Sequence, residues 1–148
     1  MSFLIAATTL QQASAARCNF YQDFFFGYTC ELNDATTTEN GQELLINTDN
    51  HLNGLSDADV RRFTVNPETV SLGFFPNNFL QQFTNLRYLH LDQSGLTELT
   101  PLENCGTIVS MFIRYSFVET IPAGIFDSCS SLLILDISDN RIHTIDDD

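Results

Sequence analysis

The sequence predicts an α/β solenoid, a right-handed stack of repeated coils with a parallel concave β-sheet. The first observation is an apolar motif that recurs three times in the second half of the chain, as Leu86-x-x-Leu89-x-Leu91, Ile108-x-x-Met111-x-Ile113 and Leu132-x-x-Leu135-x-Ile137. The second observation is its spacing, since the copies begin 22 residues apart (86 to 108) and then 24 residues apart (108 to 132). Periods in this range are typical of stacked coils that share one continuous core.

Each copy also continues in the same way after its strand motif. A second apolar pair follows at matching positions, namely Leu96 and Leu99, Val118 and Ile121, and Ile142 and Ile145. The polar position of the leucine-rich repeat consensus L-x-x-L-x-L-x-x-N-x-L holds Ser94, Ser116 and Asn140. An Asn side chain satisfies backbone groups where the strand turns away, so the two serines predict hydroxyl groups or water in its place.

A weaker fourth copy lies upstream, at Val60-x-x-Phe63-x-Val65. Residues 43–47 show only a strand-like apolar run, which is a weak indication of a further coil. We therefore expect about four repeats over residues 60–148, because one coil cannot bury its own apolar face and at least about three are needed. The last repeat is incomplete at Asp148, which predicts either a truncated chain or an end coil covered by another chain.

The amino terminus predicts export from the cell. Residues 3–7 open a short apolar segment, and Ala13, Ser14 and Ala15 are small residues at the spacing that a signal peptidase reads. Residues 1–16 are therefore interpreted as a signal peptide, and residues 17–59 as an N-terminal cap region ahead of the repeats. No other stretch approaches the roughly 20 apolar residues that span a bilayer, so no membrane anchor is predicted.

Two cysteines follow the predicted cleavage site. Cys18 and Cys30 bracket an aromatic segment, and a disulfide between them is expected to close the cap and contribute about 3 kcal/mol. The aromatic residues inside the segment alternate, which predicts a cap strand with one face on the core: Phe20, Phe24, Phe26 and Tyr28.

The other two cysteines occupy equivalent positions of neighbouring coils. Cys105 and Cys129 each lie three residues before a strand motif (105 before 108, and 129 before 132). Two interpretations remain open for this pair, which either consists of buried thiols that act as small hydrophobes or forms a second disulfide.

Composition and charge argue against several functional classes. A formal charge of −13 disfavours nucleic acid and anionic membrane surfaces, both of which require clustered Lys and Arg. His51, His90 and His143 fall in different predicted coils, so each is predicted to face solvent without a nucleophile beside it. No zinc-ligand spacing, phosphate loop or catalytic motif occurs in the sequence. We predict a protein that is not an enzyme and uses no cofactor or metal.

The outward positions of the predicted sheet are the remaining candidates for function. They stack in four ladders, namely Arg61, Arg87, Val109 and Leu133; Arg62, Tyr88, Ser110 and Ile134; Thr64, His90, Phe112 and Asp136; and Asn66, Asp92, Arg114 and Ser138. Aromatic and Arg side chains carry most of the energy at protein interfaces. We predict that an unidentified protein ligand binds this face through eight residues: Arg62, Arg87, Tyr88, His90, Phe112, Arg114, Ile134 and Asp136.

Two segments carry a family resemblance. The run Gly27-Tyr28-Thr29-Cys30-Glu31-Leu32 resembles the cap of short secreted leucine-rich repeat proteins of flies and mosquitoes. The run Gly124-Ile-Phe-Asp-Ser-Cys-Ser-Ser-Leu132 is similar to the same group and to Toll-type receptor ectodomains. The resemblance implies an extracellular binding or adhesion protein, in some relatives connected with innate immunity. The alternative is a matrix protein that forms homo- or hetero-oligomers through its uncapped C-terminal coil.

Overall fold

The computed structural model describes residues 15–76 and 78–147, and these form a structure built mostly of β-strands. Most of the predicted signal peptide, residues 1–14, lies outside the described residues, as does Asp148. Ala15 and Ala16, the last two residues assigned to that segment, begin the first strand. Within the described ranges, no helix is long and apolar enough to cross a bilayer.

The strands of the described residues are, in chain order, β1 (Ala15–Asp23), β2 (Gly27–Asn33), β3 (Ala35–Thr37), β4 (Leu45–Asn47), β5 (Arg62–Val65), β6 (Val70–Leu72), β7 (Tyr88–His90), β8 (Ser110–Phe112), β9 (Thr120–Ile121), β10 (Ile134–Asp136) and β11 (Thr144–Ile145). The main sheet has seven strands in the order β10-β8-β7-β5-β2-β1-β4. Two small sheets pair β11 with β9 and β3 with β6. A 3₁₀ turn (Asp57–Asp59) and a short helix α1 (Phe79–Gln82) complete the elements.

The predicted fold class, a right-handed α/β leucine-rich repeat solenoid, is wrong. The described residues form a mostly β structure whose seven-stranded sheet is mixed, because β1 runs antiparallel to β2. Within those residues the α-helical content is limited to the four residues of α1. The apolar motif specified strands, but the connecting segments carry no sustained 3.6-residue apolar period and contain Gly and Pro, which disfavour helix. The first hairpin, which the motif does not cover, adds the antiparallel pair.

Strand pairing from β5 to β10 is parallel, and its register matches the spacing of the apolar motif. Phe63, Leu89, Met111 and Leu135 lie side by side on the inner face of β5, β7, β8 and β10. The first three are fully buried, whereas Leu135 on the edge strand is 39% exposed. Each strand therefore covers the apolar face of its neighbour, and the core runs along the inner side of the sheet.

Polar side chains complete the turns that follow these strands. Asn140 donates to the backbone carbonyls of Ile113 and Ile137 at 2.6 and 2.9 Å. In the two preceding turns the buried hydroxyl oxygens of Ser94 and Ser116 lie 3.4 Å apart. The two hydroxyl groups occupy the positions equivalent to Asn140 and contact each other, and their predicted role towards the backbone stays a prediction.

Both pairs of cysteines form disulfides. Cys18 on β1 is bonded to Cys30 on β2, with the two Cα atoms 5.2 Å apart, which confirms the predicted bridge. Cys105 is bonded to Cys129, with a Cα–Cα distance of 4.7 Å. The second interpretation of this pair is therefore correct, and the bridge ties together the segments that precede β8 and β10.

The aromatic segment between Cys18 and Cys30 is a hairpin and not the single cap strand that its alternation predicted. β1 ends at Asp23 and β2 begins at Gly27, whose φ of 80° suits glycine. Phe24 and Phe25 lie at the tip and are 93% and 81% exposed. The Asp and Gly at the two ends of the loop favour chain reversal, which outweighs the alternation of the aromatic residues.

Aromatic rings fill the core beneath β5 and β7. Phe63 is fully buried and stacks on Phe79 of α1, with ring centroids 4.3 Å apart. Phe83 packs against both rings at centroid distances of 5.9 and 6.4 Å. The short helix is therefore held to the sheet by ring contacts, which compensate for its small number of backbone hydrogen bonds.

We expect Phe63→Ala to lower the free energy of unfolding by about 3–5 kcal/mol, because it leaves a cavity among buried rings. Phe25→Ala is the matched control, and its loss should stay within about 0.5 kcal/mol because the ring lies in solvent. Urea unfolding of the oxidised chain, followed by circular dichroism, measures both values. Equal losses for the two variants would contradict this assignment of the core.

Candidate functional site

The candidate site lies on the outer face of the main sheet, defined here as the side chains of β5, β7, β8 and β10 that alternate with the core residues. Two rows cross these strands in register: Arg62, Tyr88, Ser110 and Ile134 form the first, and Thr64, His90, Phe112 and Asp136 form the second. These rows hold six of the eight predicted site residues. Arg87 and Arg114, the other two, flank the rows in sequence.

A continuous line of side chains crosses this face, and we call it the aromatic–arginine row: Arg62, Phe26, Tyr88, His90, Phe112 and Arg114. Phe26 comes from the hairpin and meets Tyr88 and His90 edge-on, at centroid distances of 5.1 Å each. His90 meets Phe112 edge-on at 4.7 Å. Edge-to-face contacts contribute about 0.5–1.5 kcal/mol each beyond the burial of area. The rings are therefore fixed by contacts within the chain.

Arg62 forms one end of the aromatic–arginine row. Its guanidinium lies 4.8 Å from the centroid of the Phe26 ring, donates to the Tyr21 hydroxyl at 2.8 Å and pairs with Asp23 at 3.3 Å. The Asp23 carboxylate also accepts the N–H groups of Phe26 and Phe25, at 2.9 and 2.8 Å. These backbone hydrogen bonds, with a smaller effect from Arg62, lower the pKa of Asp23. The ionised Asp23 thus joins the hairpin tip to the sheet.

Arg114 forms the other end of the row. Its Nε and Nη2 atoms donate to the two carboxylate oxygens of Asp92, at 3.1 and 2.6 Å, in a bidentate pair. Its Nη1 atom lies 3.8 Å from Asp136, and its guanidinium lies 4.9 Å from the centroid of the Phe112 ring. The hydrogen bonds to Asp92 raise the pKa of Arg114. The guanidinium is therefore held in one orientation beside the ring.

The positive charge expected on this face is largely neutralised within the chain. Arg62 is paired with Asp23, and Arg114 is paired with Asp92. Asp92 is the neighbour of Arg114 in the fourth predicted ladder, whereas Asp23 comes from the hairpin and lies outside the ladders. A partner would therefore meet fixed aromatic edges that are framed by two ion pairs, and not two free cations.

His90 lies at the centre of the row. Contrary to the prediction, it does not face solvent. Burial, together with the neighbouring Arg62 cation, lowers the pKa of His90 to about 4, so the imidazole is neutral at pH 7. Its Nε2 atom is buried and has no hydrogen-bond partner among the described residues. Phe26 packs edge-on against the His90 ring, and no local pattern predicts that the hairpin reaches this strand.

The hairpin tip is the functional candidate that sequence reasoning missed. The rings of Phe24 and Phe25 meet edge-on at 5.1 Å and extend the aromatic surface beyond Phe26. Two adjacent Phe side chains are rarely both almost fully exposed, and such apolar patches often mark interaction sites. The available signal was Asp23 followed four positions later by Gly27, a pair that favours chain reversal.

The edge strand β10 carries a second exposed apolar surface. Leu133 and Ile134 are 81% and 52% exposed, and Ile145 on β11 is also exposed. Ile134 is a predicted site residue, but Ser110, which separates it from Tyr88 in the same row, is buried. Within the described residues β10 pairs only with β8, so its other edge has no strand beside it.

His51 does not face solvent either, contrary to the prediction. Its two ring nitrogens lie 2.9 Å from the Tyr28 hydroxyl and 2.9 Å from Asp57. Its ring packs on Phe20 at a centroid distance of 4.1 Å. These contacts fasten the loop before Asp57 to the first hairpin. His143 is exposed, as predicted, and lies 3.7 Å from Glu119.

No family model matches the chain, and no curated protein gives a significant match. The resemblance to secreted insect proteins therefore stays a prediction. Among the described residues, no group of three or more His, Cys, Asp or Glu side chains is arranged to hold a metal ion. The function proposed below therefore rests on the geometry of the outer face.

We expect the stability of the fold to decrease as the pH falls from about 6.5, the ordinary pKa of a histidine, to about 4, the value for folded His90. Over this interval the unfolded chain binds a proton at His90 that the folded chain does not, so acidification favours unfolding. His90→Gln should flatten this part of the curve, whereas His143→Gln should not. Urea unfolding at a series of pH values measures the effect. An NMR titration that placed the pKa of His90 near 6.5 would contradict the burial described here.

Proposed function

We propose that this chain is an extracellular binding protein, and that it recognises a protein partner through the aromatic–arginine row and the hairpin tip. The observation that carries the proposal is the exposed pair Phe24 and Phe25, which continues into the row through Phe26. Aromatic side chains of this kind anchor protein interfaces by filling apolar pockets on the partner.

Preorganisation of the surface supports this proposal. Ordering one flexible side chain on binding costs about 0.5–1.5 kcal/mol. The rings of the row are already fixed by edge-to-face contacts, and the tip is held by the hydrogen bonds that Asp23 accepts from Phe25 and Phe26. A partner would therefore bind a surface that loses little conformational freedom.

The charge of the chain indicates which partners are favoured. The formal charge of −13 attracts basic surfaces and repels acidic ones over a distance of about one Debye length. We propose a partner that offers an apolar pocket for the Phe rings and a positively charged rim around it. Complementary charge would mainly raise the association rate and select against acidic competitors.

The disulfides support an extracellular location. Cys18–Cys30 and Cys105–Cys129 account for all four cysteines of the chain. Disulfides of this structural kind persist in oxidising compartments and are rare in the cytosol. Secretion is therefore part of the proposed function, together with protein binding.

A second candidate function is assembly through the edge of the sheet. The observation that favours it is a set of exposed apolar side chains, namely Leu133 just before β10, Ile134 on β10 and Ile145 on β11. An unpaired strand edge beside exposed apolar side chains can pair with another strand. In this alternative the protein would be a structural or adhesion protein that forms oligomers.

We expect the combined substitution Phe24→Ser and Phe25→Ser to weaken partner binding at least about thirtyfold, because two apolar anchors are lost. The partner is first captured from extracellular fluid with the unaltered chain, identified by mass spectrometry and purified. Calorimetry then gives the dissociation constants. Stability should not change, because both rings lie in solvent.

Leu45→Ser provides the matched control, since Leu45 is also exposed but pairs with Ala15 at the start of β1, at the other end of that strand from the hairpin tip. Its dissociation constant should equal that of the unaltered chain. The proposal is wrong if the double variant at the tip binds the purified partner as tightly as the control does.

A further inference from the structure

The six arginine side chains differ in their interaction partners, and this difference distinguishes one part of the outer face. The chain contains six arginines, no lysine and 19 acidic residues. Arg17, Arg62 and Arg114 each have a carboxylate oxygen within ion-pair distance, at 2.6, 3.3 and 2.6 Å. The Arg141 guanidinium lies 4.6 Å from the centroid of the Phe117 ring. Each of these four guanidinium groups therefore has a carboxylate or a ring beside it, although the buried Nε atom of Arg62 has no hydrogen-bond partner among the described residues.

Arg61 and Arg87 differ from the other four. Within the described residues, the side chain of Arg87 has no carboxylate, hydrogen-bond or ring partner. Arg61 donates from one nitrogen to the backbone carbonyls of Ala58 and Asn85, at 3.1 and 3.4 Å, and has no carboxylate within ion-pair distance. Both guanidinium groups thus keep donors that no described residue uses, and neither forms an ion pair there, although Arg61 interacts electrostatically with the Asp59 carboxylate.

These two arginines are neighbours. The Arg87 N–H donates to the Arg61 carbonyl at 2.8 Å, which places the residues side by side just before Tyr88 and Arg62 in the paired strands β7 and β5. Both line one open hollow of about 360 Å³, together with Asn85, Thr107 and Ser131. Within the described residues no carboxylate forms an ion pair with either guanidinium, so the two like charges that line one hollow repel each other.

We propose that this hollow, which we call the arginine hollow, binds an oxyanion, the group shared by phosphate esters, sulfate esters and carboxylates. The planar fork of Arg87 can donate two parallel hydrogen bonds to such a group, and Arg61 adds a second charge. The Ser131 hydroxyl lines the same hollow and can donate as well. Thr107 also lines the hollow, but its hydroxyl cannot donate to an anion because it already donates to the Leu86 carbonyl at 2.7 Å.

The net negative charge of the chain does not prevent anion binding at this place. At physiological ionic strength the Debye length is about 8 Å, so more distant carboxylates are largely screened. Arg61 and Arg87 then dominate the local potential, with part of the Arg61 charge offset by the neighbouring Asp59. The arginine hollow is distinct from the aromatic–arginine row, and binding of a small anion there does not depend on the proposed protein partner.

The test is a titration of the full oxidised chain, labelled with ¹⁵N, with inorganic phosphate, sulfate and acetate in separate experiments. We expect saturable shifts of the Nε–H signals of Arg61 and Arg87, and no matching shift at Arg17. Arg87→Gln should weaken binding at least about tenfold, because it removes the free fork and its charge. This variant should fold normally, since the Arg87 side chain has no partner to lose among the residues that the structure describes.

Arg17→Gln is the matched control, because it removes an exposed arginine that is paired with Asp34 elsewhere on the surface. Tighter binding of phosphate and sulfate than of acetate would identify a tetrahedral oxyanion as the ligand chemistry, and tighter binding of acetate would identify a carboxylate. Shifts that do not saturate, or an affinity that Arg87→Gln leaves unchanged, would overturn the proposal. Neither result would bear on the hairpin tip, so the two proposals can fail separately.

Discussion

The structure depends on the parallel, in-register pairing of β5, β7, β8 and β10. Phe63, Leu89 and Met111 form the buried line along the inner face, and every strand in it shields the apolar side chains of the next. Because side chains alternate along a strand, fixing this inner line also fixes which residues share the outer face. His90 and Phe112 are neighbours for that reason, although 22 residues separate them (90 to 112). The register that makes the core therefore also makes the candidate site.

The first hairpin adds side chains to the outer face of the sheet and so completes the candidate binding surface. Phe26 reaches from the hairpin onto β7, and Asp23 pairs with Arg62 across the sheet. Phe26 covers part of the half-buried His90, whose Nε2 atom is buried without a hydrogen-bond partner among the described residues. A buried polar atom of this kind costs stability. This loss of stability occurs in the same part of the surface as the exposed pair Phe24 and Phe25. It fits the proposal that this surface serves binding rather than stability.

Much of the sheet could be predicted from the sequence, because the apolar motif repeats the residues that must be buried. The strands around Leu89 and Met111, and their register, followed from spacing alone. The fold class did not follow from the spacing, because the motif does not cover the segments between strands. These segments contain almost no helix. Contacts between distant segments were also beyond local patterns, and the Arg62–Asp23 pair spans 39 positions (23 to 62). The burial of His90 follows from that same long-range packing of the hairpin.

The claim that a partner covers the hairpin tip is tested most directly by photo-cross-linking from defined positions. A benzophenone side chain is placed at Phe25 in one variant and at Leu133 in another, and each is illuminated in extracellular fluid. The account predicts a discrete covalent adduct with a different protein from position 25, mapped by mass spectrometry, and none from position 133. An adduct from position 133 alone, formed with a second copy of the chain, would contradict it and favour assembly through β10.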